Sequence, residues 1–287
     1  MVVTAFAAGR PPTVATVENI GEAIGFFDGL ARSGSPLTVF RGHADIGWEV
    51  APSIFRDDLN VLDFESRVVR DLVALYPTEF ESDRTMFDRL VRMQHFGLRT
   101  RLMDVSRNPL AALYFSVEDG DHNHEDGCVV IFNIHDDRVK YYDSDSISCI
   151  SNLANLTTAE KKIIEDTPAR TIRELNDLQP VDRLYQFIRA EKPEFRPRIR
   201  REDLFKPYFV YPKMNNKRII AQNGAFIVFG LDRTKGPKTS GISLTCVKIP
   251  ALAKQAIRQS LHRLGYDDST LFPDIERSAR QIMKNYS

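Results

Sequence analysis

The chain has 287 residues, and its 39 Lys plus Arg balance 39 Asp plus Glu, so it carries no formal net charge. That balance excludes the global basic field with which sequence-independent nucleic-acid binders displace counterions, and it excludes the acidic surplus of a disordered tail. It leaves room for arginines gathered in one pocket. An apolar fraction of 43% and a charged fraction of 27% are those of a soluble globular protein. Cys128, Cys149 and Cys246 are odd in number and far apart, which fits neither a metal-site spacing nor a disulfide framework and points to a reducing cytoplasm. The apolar residues 2–8 are too few to span a membrane and lack the basic start of a signal peptide.

Taken in order, residues 1–13 read as a loose N-terminus. Apolar residues at 17, 20, 24, 27 and 30 predict a helix, with Thr16 as its N-cap. Gly34, Ser35 and Pro36 break it, and residues 37–40 read as a strand running into Arg41-Gly42. Phe64, Val68, Leu72 and Leu75 predict one amphipathic helix, and Met86, Leu90 and Met93 another. Asn108-Pro109 is a helix start, with Asn at the N-cap and Pro in the first helical position. Residues 128–132 predict a buried strand. The stretch 143–205 reads as a helical insertion or cap with thin apolar content, a capping box at Thr157-Thr158-Ala159-Glu160 and a closing basic run. Strands are expected at 208–211, 218–221, 225–231 and 244–249. A helix follows from Pro250 to a C-terminal cap at Gly265, and a last one begins near Pro273. Strands and helices mix without a βαβ rhythm. The expected fold is therefore α+β, a mixed central β-sheet flanked by helices, with residues 1–36 as an N-terminal segment and helix and 37–287 as a single domain.

Three clusters carry chemistry. Phe40-Arg41-Gly42-His43, with Trp48 and Pro52-Ser53, puts a guanidinium at a sheet edge beside a glycine that another backbone or a ligand can approach closely. The alternative is a structural pairing for Arg41 and a core position for Trp48. Gln94-His95-Phe96-Gly97-Leu98-Arg99-Thr100-Arg101-Leu102-Met103-Asp104 gathers polar groups just ahead of the helix that Asn108 caps, whose N-terminus favours anions. Here the alternative is a satisfied loop with Arg101 and Asp104 as a buried pair. Arg218, Gln222, Gly224 and Phe226 read as a hairpin turning at Asn223-Gly224, with Arg218 and Gln222 on one face; the alternative is a hairpin with solvent-facing polar residues. His122, His124 and His135 fit a solvated turn, and no metal site is expected. The Arg196, Arg198, Arg200, Arg201 run is more in keeping with a solvated face than with a nucleic-acid contact.

Together the clusters resemble the FRG domain, a mostly bacterial family named for a Phe-Arg-Gly motif, here Phe40-Arg41-Gly42. The central signature is matched by Gln94-His95, Gly97, Thr100-Arg101-Leu102, Asp104 and Ala112-Leu113-Tyr114-Phe115. Arg218, Gln222, Gly224, Phe226 and the closing Leu271-Phe272-Pro273-Asp274 follow. Val105-Ser106 departs from the aromatic and Thr expected there. The motif order is in turn similar to that of NAD-using ADP-ribosyltransferases, and so is the implied fold. That similarity implies an NAD-cleaving or ADP-ribosyl-transferring effector of a toxin or phage-defence type, with NAD as substrate. In it Asp104, His95 and Gln222 would be catalytic. Arg41, Gly42, Trp48, Thr100, Arg101, Asn108 and Arg218 would hold the nucleotide. Those enzymes use a late-strand Glu, which this sequence lacks, so Asp104 or Glu202 would have to supply the negative charge. The other reading is a non-catalytic module for a nucleotide or phosphate ligand. The implied partners are a nucleotide-like small molecule and a macromolecular target, with no membrane.

Overall fold

The structure is a computed structural model and describes residues 10–32, 37–56, 60–231 and 241–273. The predicted N-terminal loop before residue 10, the break at Gly34 to Pro36, and the final helix with Asp274 lie outside the described residues. Thr13–Thr16 is a strand (β1), where the sequence predicts the end of a loose N-terminus and, at Thr16, the N-cap of the first helix. It lies parallel to Ile242–Ile249 (β8), whose Lys248 carbonyl also accepts the Val17 N–H at 3.0 Å. The helix itself is Ile20–Arg32 (α1). Its cap is Asn19, whose side chain accepts the Glu22 N–H at 3.0 Å, while the Glu22 carboxylate accepts the Glu18 N–H at 2.8 Å. Edge pairing with β8 takes Thr16 and Val17, and capping by Asn19 then sets the helix start at Ile20 instead of Val17.

Leu37–His43 (β2), Leu102–Ser106 (β3), Gly127–Ile134 (β4), Val139–Tyr141 (β5), Tyr208–Tyr211 (β6) and Gly224–Val228 (β7) complete the described sheet. The strand order is β1-β8-β4-β2-β3-β7-β6-β5. The β1·β8 and β5·β6 joints are parallel and the other pairs antiparallel, so the sheet is mixed and the fold is α+β. One face of β8, β4 and β2 is covered by α1, Pro109–Val117 (α4) and Ala251–Arg263 (α11) through Phe27, Phe40, Val129, Ile131, Val247 and Ile257. The helix α11 ends as predicted, on Gly265 at φ +83°, with the Tyr266 N–H returning to the Leu261 carbonyl at 2.9 Å.

The neighbouring sheet half, β3, β7 and β6, is covered by Glu65–Leu75 (α2), Met86–His95 (α3), Asp145–Asn152 (α5), Thr158–Asp166 (α6) and Gln179–Glu191 (α8). Segment 143–205 therefore has more core than its sequence suggests. Ile147, Ile150, Leu153, Ile164, Leu184 and Ile188 are all fully buried against that half. Thr157 and Glu160 form the expected capping box at the start of α6.

The burial of α2 departs from its apolar period. Glu65, Ser66 and Val69 are buried, while Phe64 and Leu75 are exposed. Glu65 faces inward because two cations meet it there. Arg101 holds it from Nε at 2.9 Å and Nη2 at 2.5 Å, and Lys161 reaches it at 2.5 Å. The third cluster also departs. Residues 217–221 are a helix, Lys217–Ala221 (α10), capped by the Asn216 side chain. The chain turns through Gln222 and Asn223, which takes φ 46°, into β7. There is no hairpin; β7 pairs with β3 and β6, leaving residues 218–221 no ladder to join. Arg218 and Gln222 still share a side, since a spacing of four does on a helix what an even spacing does on a strand.

Candidate functional site

The site forms where the sheet parts. Strand β2 pairs with β4 along all of residues 37–43, and β3 pairs with β7 along all of 102–106. Between β2 and β3 the register holds only Phe40 against Ser106. Beyond that pair the Arg41 side chain crosses the gap, and its Nη1 donates to the Asp104 carbonyl at 2.7 Å. A cleft of about 250 Å³ opens at this parting, lined by Arg41, Trp48, Asp104, Asp119, Arg218 and Gln222 among others.

Each wall has a local cause. Gly42 is there because α4 lies directly on β2: a Cβ at residue 42 would come within 2.0 Å of the Ala112 carbonyl oxygen and 2.7 Å of the Ser116 nitrogen. The backbone approaching the glycine is thus that of α4, and Gly42 lines the cleft by letting the helix close its floor. Asn108 caps α4 by accepting from the Leu110 N–H at 3.0 Å and donates to the Tyr266 hydroxyl at 3.0 Å. Its amide holds the helix start in place of a ligand. Ser106, in the position where the family pattern has Thr, accepts the Asn108 N–H at 2.9 Å and donates to the Gln222 carbonyl at 2.6 Å, joining the two later motifs.

Asp104 is the exposed residue of an otherwise buried strand. Its carboxylate is aimed by a relay: the Thr100 hydroxyl donates to Gln94 Oε1 at 2.5 Å, and Gln94 Nε2 donates to Asp104 Oδ2 at 2.5 Å. Thr100, itself buried, also accepts the Leu102 N–H at 3.1 Å. Thr100 thus acts on the cleft through Gln94, and Gln94 is a residue to which sequence reading gave no role of its own. The signal was present in its place beside His95 in the motif.

Arg101 does not reach the cleft. It is 1% exposed, forked on Glu65, with Nη1 donating to the carbonyls of Phe229 and Gly230 at 3.0 and 3.2 Å. The pairing of Arg101 with Asp104 considered from sequence is replaced by one with Glu65, since a separation of three along an extended chain sends the two side chains to opposite faces, Asp104 outward and Arg101 into the core. His95 lies in a neighbouring cavity of about 520 Å³, where it meets the Asn216 amide at 3.0 Å. Arg218 lines both cavities. Its guanidinium sits 4.7 Å from the centre of the Phe272 ring, and Gln222 Nε2 donates to the Leu271 carbonyl at 2.9 Å. The closing Leu-Phe motif is therefore the far wall's support. Trp48 packs edge-on against His122, ring centres 4.9 Å apart, as well as lining the cleft. Among the described residues no group of three or more His, Cys, Asp or Glu could hold a metal.

His43 is the second residue that gained no role from sequence. It is buried, and its Nε2 accepts from Arg41 Nε at 3.1 Å. Burial, then the nearby Arg41 and Arg56 charges, push its pKa down to about 3. The ring is neutral and holds Arg41 in place without adding charge; its Nδ1 has no partner among the described residues. Burial also lowers Arg41, opposed by Asp104 and reinforced by Arg56; a guanidinium remains protonated all the same. A testable pH dependence follows. Because the unfolded imidazole titrates near 6.5, the unfolded chain binds more protons between pH 6.5 and about 3, so stability rises with pH across that window at up to about 1.4 kcal/mol per unit. Urea midpoints between pH 6.5 and 4 should rise less steeply in His43→Gln than in the parent; equal slopes would assign the dependence elsewhere.

The fold and the cleft define an α+β protein with an arginine-lined crevice at a parting of its central sheet. Residues 37–125, about a third of the chain, match the family model of the FRG domain. The matched span holds β2, β3 and α4, and with them Arg41, His43, Trp48, Gln94 and Asp104. Arg218 and Gln222 lie beyond it. No curated protein and no solved structure matches the chain. No described helix is long and apolar enough to cross a membrane.

Proposed function

We propose that the FRG cleft cleaves NAD, transferring its ADP-ribosyl group to an oxygen nucleophile, either water or a hydroxyl of a macromolecular target. The observation that carries this reading is the aimed Asp104 carboxylate in one cleft with Arg41, Arg218 and Trp48. The bond from ribose C1 to the nicotinamide nitrogen breaks with its electron pair going to the ring, which leaves as neutral nicotinamide. In this reading Asp104 stabilises the ribosyl cation in the role of the absent late Glu and accepts the proton that the attacking oxygen loses. Arg41 and Arg218 would hold phosphate and Trp48 a ring. A cleft of about 250 Å³ falls short of the roughly 300–1,000 Å³ of sites that enclose a whole ligand, so the remainder of the dinucleotide would lie past Arg218, toward His95.

Nicotinamide release from NAD tests the reading. Asp104→Asn, which keeps a hydrogen-bonding partner for Gln94, is expected to lower kcat by roughly 10²–10³ with little change in KM. If expression of the parent arrests growth, the same substitution should relieve the arrest, as expected of a toxin or phage-defence effector. No nicotinamide release from the parent protein would overturn the reaction. The second reading, nucleotide binding without chemistry, is favoured by Gln222, whose amide is taken up in supporting Leu271 and which brings no carboxylate to the cleft. It predicts a thermal shift with NAD that depends on Arg41, and no product.

A further inference from the structure

A separate cavity, of about 810 Å³, lies away from the FRG cleft, at the β5–β6 edge of the sheet and outside the matched FRG span. It contains the basic run singled out in the sequence, and the structure divides that run in two. Arg201, at the start of helix Arg201–Phe205 (α9), is structural: it donates to the carbonyls of Ile164, Glu165 and Thr167 and so caps the C-terminus of α6. Arg196, Arg198 and Arg200 are exposed, line the cavity, and have no side-chain hydrogen bond or ion pair among the described residues.

The segment that carries them is pinned. Between Arg198 and Arg200, Ile199 is 1% exposed in the core. The Asn176 side chain clamps its backbone in both directions, accepting the Ile199 N–H at 3.2 Å and donating to its carbonyl at 2.9 Å. With Ile199 held inward, the flanking arginines are directed outward, and Pro197 narrows the backbone's freedom. Facing them is Arg138, a 3% exposed guanidinium set 5.6 Å from the centre of the Tyr208 ring, with Lys140 over the same ring at 5.8 Å. The carboxylates of this cavity are largely engaged. Asp145 is paired with Lys192 at 2.9 Å, Glu202 with Lys206 at 2.5 Å, Asp203 accepts from the Tyr208 hydroxyl at 2.7 Å, and Asp137 lies 3.6 Å from Arg138; Glu194 is the remaining one.

We infer that this cavity binds a compact, multiply charged phosphate anion. Guanidinium groups suit phosphate oxygens, and the volume lies within the range of small-molecule sites. A single-stranded nucleic acid is disfavoured because its bases need open aromatic faces, and Tyr208 is buried beneath Arg138 and Lys140.

Calorimetric titration of the full chain with inorganic tripolyphosphate at low salt tests this. The parent should bind, and sulfate at equal ionic strength should give no comparable heat. R196A/R198A/R200A should weaken binding by roughly tenfold or more. Because these side chains are exposed, its urea midpoint should match the parent; the two-site R196E/R200E variant provides the test if the triple variant does not fold. Arg41→Ala should bind as the parent does, which separates this cavity from the FRG cleft whether or not that cleft cleaves NAD. The inference is overturned if the parent does not bind, if sulfate binds equally, if the folded arginine variant binds as tightly as the parent, or if binding depends on Arg41. It is also overturned if single-stranded RNA binds through these arginines and tripolyphosphate does not displace it.

Discussion

Replacing Glu65 by alanine is expected to cost about 3–5 kcal/mol, a large share of the 5–15 kcal/mol that holds an ordinary domain folded. Glu65 is 2% exposed and sits between Arg101 and Lys161, themselves 1% and 6% exposed. Removing the carboxylate leaves two buried cations with no anion, and a buried charge that cannot reach water is the costliest single defect a core tolerates. The triad also ties three elements together: α2 through Glu65, α6 through Lys161, and the lead into β3 through Arg101. Two adjacent carbonyls past the end of β7 are drawn in as well. The urea midpoint should fall sharply in Glu65→Ala. Replacing all three residues with apolar ones of similar volume should recover much of the loss, because the cost lies in the orphaned charge. If Glu65→Ala and Glu65→Met unfold at the parent's midpoint, the triad contributes no stability.

The same carboxylate sets an acid limit. Burial alone would raise its pKa, but Arg101 and Lys161, by charge and by hydrogen bond, overcome that and hold it at about 2. In the unfolded chain it titrates near 4.3, so the unfolded state takes up the proton first as pH falls. The contribution of Glu65 is complete above about pH 4.3 and is lost as pH drops toward 2. This window lies below most of the His43 window, so the two slopes separate along the pH axis.

Gly42→Ala is expected to be the most damaging single-methyl change in the FRG motif. The new Cβ would stand 2.0 Å from the Ala112 oxygen and 2.7 Å from the Ser116 nitrogen. Both are backbone atoms of α4, so no rotamer change relieves the clash and the helix must lift from β2. The cost should meet or exceed the roughly 1–3 kcal/mol of an overpacked core. It should also disturb the cleft, because Ala112 and Phe115 of the same helix line it. Gly25→Ala is the control: it lies inside α1 with nothing within 4 Å of an added Cβ, and should stabilise by about 0.5–1 kcal/mol. Thermal unfolding of the two variants side by side should move in opposite directions. A Gly42→Ala protein as stable as the parent would mean that α4 does not rest on β2 as described.

What the residue order determined by itself was local and periodic. Asn108-Pro109 specified the start of α4 because a cap and a fixed φ act within one turn. Thr157 and Glu160 specified the start of α6, and Gly265 the end of α11, for the same reason. The mixed sheet and the FRG motif were legible too, as were Arg41, Trp48, Asp104, Arg218 and Gln222, which the structure brings to one cleft. Tertiary structure decided everything that needed a distant partner. Residues 13–16 became a strand because β8 offered an edge, and 218–221 became a helix because no strand lay beside them. Arg101 went to Glu65, 36 positions away, and His95 to Asn216, 121 positions away. A side chain's type limits which partners it accepts, but which of them it meets depends on where the sheet parts, which helices cover it and which loops reach across.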